Sequence, residues 1–564
     1  MLIALLRASG RNAVAVQIDE HGEMLDTPQQ VAASDLAAFV ARMEQNDPRW
    51  VWHDTSVWYP RLLKAGVRVR RCVDLRLCHV ILRASSLCAD SPLALAPPSA
   101  WDSGAAAVIE ATALPQTALF DLDAFDDTAE EAPDDTIAEY ARQSATVAAS
   151  AGPGRLRLLL AAESAGALIA AELRHAGLPW RVDVHDRLLT ELLGSRPTPG
   201  TRPQRLEQLL GRVRAELAAP SLNPDSPGEL LKALARADLN VTSTRSWELK
   251  KIEHPSIEPL LEYKKLARLL SANGWAWMEV WVHNGRFHPD YVPGGVVTGR
   301  WATRGGGALQ LPRQVRGAVV ADDGWKLVVA DAAQLEPRIL AGLAHDMAMA
   351  DAGRGTDLYA GIVDSGAVDT RPHAKVAMLG AMYGATTGES GRLMPALTRA
   401  FPRAIRLVED AARAGERGEI VTSRLGRSSP RPSAAWGETQ ARASGVDATP
   451  ADERRARGQA RDWGRFTRNF VVQASAAEWA LCWMAQLRTR LTALAAPGSR
   501  VEHGPHLVYF LHDEVIVHTP AELAPDVAAA VVDAANAAGR QLFGDFPVDF
   551  PVTTAVVDSY AEAK

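Results

Sequence analysis

Apolar positions along the chain fall into two textures. From Met1 to about Leu193, short apolar runs (Ala13–Ile18, Trp50–Trp52, Leu158–Leu160) alternate with helical stretches, which predicts a small α/β domain. The opening run, Met-Leu-Ile-Ala-Leu-Leu-Arg, is too short for a signal peptide and reads as a first strand. Ile18-Asp19-Glu20-His21-Gly22 reads as a hairpin turn, and the acidic stretch Asp121–Asp135 as a solvated loop. Ser195–Pro203, rich in Pro and Gly, marks a boundary. Beyond it, amphipathic spacing predicts helices over Arg205–Leu217, Pro227–Ala237 and Ile257–Leu270. From Gly285 onward strands interleave with long helices. Residues Ser428 to Gly458, rich in Ser, Pro, Gly and Arg, read as an exposed insertion of low order.

Composition narrows this little. The 564 residues are too many for one core, and 47% hydrophobic with 23% charged residues is ordinary for a soluble protein. No apolar run approaches the roughly 20 residues of a membrane span, so a cytoplasmic monomer is expected. Four cysteines without a C-x-x-C pair indicate buried thiols rather than a zinc site or disulfide frame. A net charge of −6 argues against a protein that coats nucleic acid, but not against one with a locally basic groove.

Three segments carry candidate chemistry. In Trp325–Arg338 a buried-strand pattern ends on Asp331 and a helix follows, with Pro337 tolerable in its first turn. That puts Asp331 at a strand mouth, a rigid place for a metal ligand; a helix N-cap explains the segment equally well. In His506–His518 two strand-like runs flank His512-Asp513-Glu514, a hairpin whose tip is either a carboxylate site or an ordinary polar turn. Between them, Arg371, Lys375, Leu379 and Tyr383 recur every fourth residue after Pro372. Such a face could clamp a triphosphate and abut a base pair, or simply be solvated.

Together the segments resemble the family A DNA polymerases, the group of bacterial DNA polymerase I. That family's D-Y-S-Q-I-E-L-R motif corresponds to Asp331-Ala-Ala-Gln334-Leu-Glu336-Pro-Arg338, its R-x-x-x-K-x-x-x-F-x-x-x-Y-G helix to Arg371, Lys375, Leu379, Tyr383 and Gly384, and its H-D-E to His512-Asp513-Glu514. Thr298-Gly-Arg300 before Leu309-Gln310, the trio Arg465, Asn469 and Gln473, and a thumb-to-palm-like helix at Leu261–Leu269 extend the match from about Leu206 to the C-terminus. The resemblance implies a right-hand α+β fold: thumb at 204–290, palm at 291–335 and 471–564, fingers at 336–470. It implies two Mg²⁺ ions, with Mn²⁺ as a substitute, held by Asp331 and Asp513 with Glu514 assisting. Arg371 and Lys375 would hold a deoxynucleoside triphosphate beside Gln334 and Leu379, and Glu336 would exclude a ribose 2′-hydroxyl. Tyr383, Arg300, Asn469, Gln473 and His512, with Arg465 and Arg316, would contact primer-template DNA. Between Thr298 and Gly317 stand Arg300, Arg304, Arg313 and Arg316 and no carboxylate, which fits phosphate contact. Leu379 departs from the family's aromatic, and Ala332-Ala333 from its Tyr-Ser.

In this family an N-terminal α/β domain of ribonuclease H-like fold often carries a 3′–5′ exonuclease built on four carboxylates. Here residues 1–193 keep the surroundings of two of its motifs, at Trp52–Gly66 with Val73-Asp74-Leu75 and at Tyr140–Ser144, but Trp58 and Ser144 stand at carboxylate positions. No D-x-E ends an early strand, so the domain is expected to be an inactive relic; the length leaves no room for a separate 5′-nuclease domain. The expectation is a repair or gap-filling polymerase of the bacterial nucleoid. Its rivals are a polymerase with residual exonuclease, a DNA-binding relic, and a single-subunit RNA polymerase, the last disfavoured by Glu336.

Overall fold

A computed structural model describes residues 1–8, 12–102, 135–198, 200–304, 311–355, 357–384 and 388–563. The chain divides into two compact units, one of 1–176, 291–304 and 324–556, the other of 177–290, 305–323 and 557–564. The acidic stretch up to residue 134 and the Leu309-Gln310 pair lie outside the described residues.

The first unit opens with β1 (Leu2–Arg7), β2 (Ala13–Ile18), β3 (Gln29–Val31), α1 (Leu36–Glu44), β4 (Arg49–Trp52), α2 (Thr55–Lys64), β5 (Cys72–Asp74) and α3 (Leu75–Ala84). The strands lie in the order β3-β2-β1-β4-β5, with β1 antiparallel to β2 and parallel to β4. Alternation sorts the side chains onto two faces. Ile3, Leu5, Trp50 and Trp52 enter one core with α1 and α2; Ala4, Val16 and Val51 enter another with Leu75 and Trp101. The turn after β2 forms as expected, with Asp19 Oδ1 accepting from the N–H groups of His21 and Glu23. After the short α4 (Pro92–Leu95) come α5 (Thr136–Ala149) and α6 (Pro153–Ala176). The run Leu158–Leu160, expected as a strand, lies inside α6. Leu is a strong helix former, and β2 and β4 are rich in Val and Trp; β1 is also Leu-rich, and pairing with β2 and β4 makes it a strand.

The second unit contains β6 (Leu178–Pro179), α7 (Val182–Leu193), α8 (Gln204–Glu216), α9 (Pro227–Arg236), α10 (Ser246–Leu249), α11 (Ile257–Asn273), α12 (Trp275–Trp281), β7 (Val282–His283) and β8 (Arg286–Phe287). Leu230, Leu234, Leu249 and Leu260 form one apolar core there, and Trp180, His185, Trp277 and Phe287 an aromatic one. Helix α7 belongs to this unit, not to the one that holds residues 1–176.

The first unit resumes with the ribbon β9 (Tyr291–Val292) and β10 (Ala302–Thr303), then β11 (Trp325–Ala332) and the helices α13 (Leu335–Ala344), α14 (Met347–Ala352), α15 (Leu358–Asp364), α16 (Arg371–Tyr383), α17 (Gly388–Ala400), α18 (Pro402–Glu416), α19 (Ala434–Ala443) and α20 (Pro450–Leu494). It ends with β12 (His506–Leu511), β13 (Glu514–Pro520), α21 (Ala524–Phe543) and β14 (Val552–Val557). A second sheet runs β12-β13-β11-β14. The middles of β11 (Leu327 to Ala330) and β13 (Val515 to Val517) are apolar and buried because helices cover the sheet: α21 packs on both strands. Residues 428–458 are not of low order. Ser428 and Ser429 are buried, Ser433 caps α19, and a reciprocal Thr449–Asp452 capping box starts α20. Several of the Ser and Pro residues that suggested an insertion sit at helix caps and starts here, and the Ala, Arg and Glu of the stretch are good helix formers. All four cysteines are buried, and no described helix is long and apolar enough to cross a membrane.

Candidate functional site

Strands β11 and β13 pair antiparallel, and their register sets Asp331 opposite Glu514. The turn His512-Asp513 joins β12 to β13, and the Asp513 carbonyl accepts from the Ala332 N–H at 2.9 Å. Asp331 and Asp513 therefore stand at the same end of adjacent strands. The two ordinary explanations separate here. Asp331 is a strand residue and the N-cap of α13 is Gln334, so Asp331 is not a helix cap. Asp513 remains a residue of a polar turn, brought beside β11 by the Ala332 N–H bond to its carbonyl. Gln334 (φ 47°) and His512 (φ 56°), one beside each aspartate, adopt the left-handed conformation that non-glycine residues avoid. Strain of this kind persists where the surroundings over-determine it, commonly at functional sites.

Helix α16 starts at Thr370, whose hydroxyl accepts from the His373 N–H, with Pro372 in its first turn. Ala374, Ala377, Met378, Ala381 and Met382 are buried, which turns Arg371, Lys375, Leu379 and Tyr383 outward as one exposed row. The Tyr383 end of the row is tied to the helix that follows Asp331, and the Arg371 end to the cap of α15. Tyr383 donates its hydroxyl to Glu336 at 2.7 Å, and Arg300 forms an ion pair with the other oxygen of Glu336. Gln473 on α20 reaches the Tyr383 hydroxyl at 3.5 Å. Arg465, paired with Asp462, lies one turn before Asn469 and two before Gln473 on α20, and a side chain at Gly384 would strike it. Desolvation and then Arg300 push the His512 imidazole below its ordinary pKa, with Glu336 opposing, so His512 belongs to the same group. Burial and the Glu336 charge raise the Tyr383 phenol, keeping it a donor.

At the other end, Arg371 donates to Asp357 at 2.6 Å and its guanidinium lies 5.7 Å from the Tyr359 ring centre. Asp357 caps α15 by accepting from the Tyr359 and Ala360 N–H groups, and Gln334 reaches it at 3.4 Å. Burial would raise the Asp357 carboxyl, but Arg371 and these N–H donors hold it below its usual value. Arg338 fastens the assembly, donating to the backbone carbonyls of Ala333, Gly353, Asp549 and Gly355. Burial brings its guanidinium down to about 10.

The structure thus gathers Asp331, Asp513, Glu514, Gln334, Glu336, Arg300, Arg371, Tyr383, Gln473 and His512 around one strand end, with Lys375 and Leu379 on the same α16 face. Arg313 and Arg316 belong to the other compact unit, where Arg316 sits 4.4 Å over the Tyr560 ring. Sequence reasoning missed Asp357, although its place just before a helix carried an N-cap signal; it named Arg338 as the last position of the first motif but gave it no role as a buried brace.

Among the described residues no three His, Cys, Asp or Glu side chains form a metal cage. That suits Mg²⁺, which is usually held by one or two carboxylates plus substrate phosphates and water. Asp331 and Asp513, hard anionic donors at one rigid edge, fit it.

In the N-terminal sheet the remaining acids have structural partners. Asp54 caps α2 and pairs with Arg76 at 2.9 Å; buried Asp74 caps α3 and accepts from the Thr55 N–H at 2.7 Å. Trp58 is buried and donates to His53, and Ser144 donates to the Glu20 carbonyl.

The model for DNA polymerase family A matches residues 202–562. The thermostable DNA polymerase I of Thermus filiformis is 25% identical over 344 residues, 55% of this chain and 37% of its own length. DNA polymerase I of Deinococcus radiodurans is 26% identical over 360 residues, 58% of this chain and 35% of its own. The matched stretch thus spans little more than a third of these relatives. The POL domain of Pol1 from M. smegmatis, solved in complex with DNA primer-template and dNTP, superposes with a TM-score of 0.67 at 17% identity, covering 100% of this chain and 95% of that one.

Proposed function

Because the chain belongs to DNA polymerase family A, we propose that it is a template-directed DNA polymerase that extends a primer 3′ end with deoxynucleotides. The observation that carries this is the pairing of Asp331 and Asp513 on adjacent strand ends, faced by a helix row tied to Glu336. Asp331 and Asp513, with Glu514 alongside, would hold two Mg²⁺ ions, whose charge would make the primer hydroxyl easier to deprotonate and offset charge on the leaving pyrophosphate.

The chain's own residues do the rest. Arg371 and Lys375 neutralise the triphosphate; to do so Arg371 exchanges Asp357 for phosphate oxygens. The primer 3′ oxygen bonds to the α-phosphorus as the bond to pyrophosphate breaks. Glu336, pinned between Arg300 and Tyr383, sits where a ribose 2′-hydroxyl would crowd it. Arg300, Asn469, Gln473 and His512 contact the primer terminus and template, with Arg465 and Arg316 on the DNA backbone. Leu379, 37% exposed, offers less stacking surface than an aromatic and weakens nucleotide affinity by roughly 1 kcal/mol.

The first 176 residues act as an exonuclease-like scaffold without proofreading. The β3-β2-β1-β4-β5 order supports the likeness, and the use of Asp54 and Asp74 as helix caps supports the loss. Gap filling or repair is the role that suits a non-proofreading extender. Primer extension with Mg²⁺, comparing deoxy- and ribonucleotides in wild type and Asp331→Ala, tests the proposal. No extension by wild type refutes it, and equal use of both sugars refutes the role of Glu336. Metal-dependent 3′ trimming abolished by changing Asp54 or Asp74, but not Asp331, would overturn the scaffold role.

A further inference from the structure

A buried ion pair joins α6 to the segment between α18 and α19, and the loop that carries Arg300 packs against it. Glu163, on α6, is 1% exposed and accepts from Arg427 at 2.7 Å. Arg427 lies in the segment between α18 and α19 and is itself 9% exposed. Both groups press on the strap between β9 and β10. A Cβ at Gly294 would stand 2.8 Å from the free Glu163 oxygen, and one at Gly299 would stand 2.5 Å from Arg427 Nε. Gly299, at φ 81°, donates to the Val296 carbonyl, and the Arg300 carbonyl accepts from the Val296 N–H, so the strap turns back on itself at the ion pair. Directly after that turn comes Arg300, which holds Glu336, which holds Tyr383. From its other side the strap is anchored to β12: Tyr291 donates to the Phe510 carbonyl at 2.6 Å, and Trp301 packs edge-on to Phe510, two residues before His512.

The ion pair is not arranged for stability alone. Glu163 Oε1, Arg427 Nε, Thr298 Oγ1 and Trp301 Nε1 are all buried without a hydrogen-bond partner among the described residues. An unpaired buried polar atom costs free energy, and a cluster that departs from full satisfaction marks a place where geometry is retained against that cost.

We propose that Glu163 is a positioning residue of the nucleotidyl-transfer site: through Arg427 it sets the Gly294–Trp301 strap and hence the Arg300–Glu336–Tyr383 contact. This rests on the polymerase function proposed above. It gives residues 1–176 a role in synthesis that is independent of any nuclease chemistry.

The test is steady-state primer extension by the full chain, together with its thermal midpoint. The variants are Glu163→Gln, Arg300→Ala, the double Glu163→Gln/Arg427→Met, and that double combined with Arg300→Ala. Glu163→Gln alone strands a buried guanidinium and can fail to fold; the double variant leaves no unpaired buried charge and keeps the fold. The expected result is a double variant with near wild-type midpoint whose kcat/KM for the correct nucleotide falls on the order of tenfold to a hundredfold. Adding Arg300→Ala then lowers it no further, because both changes act through the same contact. A folded double variant with full activity, alongside an impaired Arg300→Ala, overturns the inference and leaves the polymerase reading intact. Losses that simply multiply also overturn it. Unimpaired extension by Arg300→Ala overturns the assignment of the Arg300 contact and the inference with it.

Discussion

Glu172→Gln should destabilise the protein by about 3–5 kcal/mol, the usual cost of removing one partner from a buried ion pair. Glu172, on α6, is surrounded by donors. One oxygen accepts from Tyr59 at 2.6 Å, Arg68 at 3.0 Å and Arg488 at 2.7 Å; the other accepts from Arg68 at 3.0 Å and Arg488 at 3.1 Å. The side chains of Arg68, Glu172 and Arg488 are 12%, 6% and 7% exposed, so water cannot take over when the carboxylate goes. A glutamine keeps one acceptor oxygen and turns an NH₂ group toward two guanidinium groups. The surface value of at most about 1 kcal/mol for an ion pair does not apply here. Burial would raise the Glu172 carboxyl, but Arg488 and Arg68 outweigh it and hold it far below the ordinary value. Its contribution is therefore complete above the unfolded glutamate pKa, about 4.3, and is lost as pH falls below that toward the folded pKa. Urea unfolding of wild type and variant at pH 7 and at a series of lower pH values measures both effects. The gap between the two proteins should be large at pH 7 and narrow on acidification. A loss below about 1 kcal/mol at pH 7, or a gap that widens in acid, would refute the reasoning.

Four further outcomes are expected. Asp331→Asn and Asp513→Asn should each cut primer extension by at least about a thousandfold without lowering the thermal midpoint, since hydrogen bonding survives and only the anionic oxygens are lost; activity within tenfold of wild type would exclude them as metal ligands. Asp357→Asn keeps the helix cap but releases Arg371. A half-exposed pair is worth about 0.5–1 kcal/mol, so KM for the nucleotide should drop about two- to fivefold with kcat unchanged, and a rise in KM would show that Asp357 orients Arg371 instead. Leu379→Phe should lower nucleotide KM by roughly fivefold or more if an aromatic stacks there, measured under single-turnover conditions. Tyr383→Phe removes the hydroxyl that holds Glu336 and should raise ribonucleotide incorporation relative to deoxynucleotide; an unchanged sugar ratio would uncouple Tyr383 from that discrimination.

Local patterns were legible where one residue type does one job. Val- and Trp-rich alternation marked β2 and β4, Pro372 marked the start of α16, and the four-residue spacing of Arg371, Lys375, Leu379 and Tyr383 marked its exposed face. Leu158–Leu160 and residues 428–458 misled because apolar runs and stretches rich in Ser, Pro, Gly and Arg occur in more than one conformation, and long-range packing selects among them.

The sequence by itself determined the identities and order of the carboxylates, cations and aromatic that nucleotidyl transfer needs, and also the family to which they belong. Neither aspartate could be told from a cap or a turn in isolation, because that distinction depends on what lies across the sheet. Only the tertiary structure places Asp331 on a strand rather than at a helix cap, by pairing β11 with β13 in a register that sets it opposite Glu514. The same holds for Asp357, Arg338, Glu163 and Arg427. Their partners are distant in the chain, and a buried charge acquires its function from the neighbour that desolvation forces it to find.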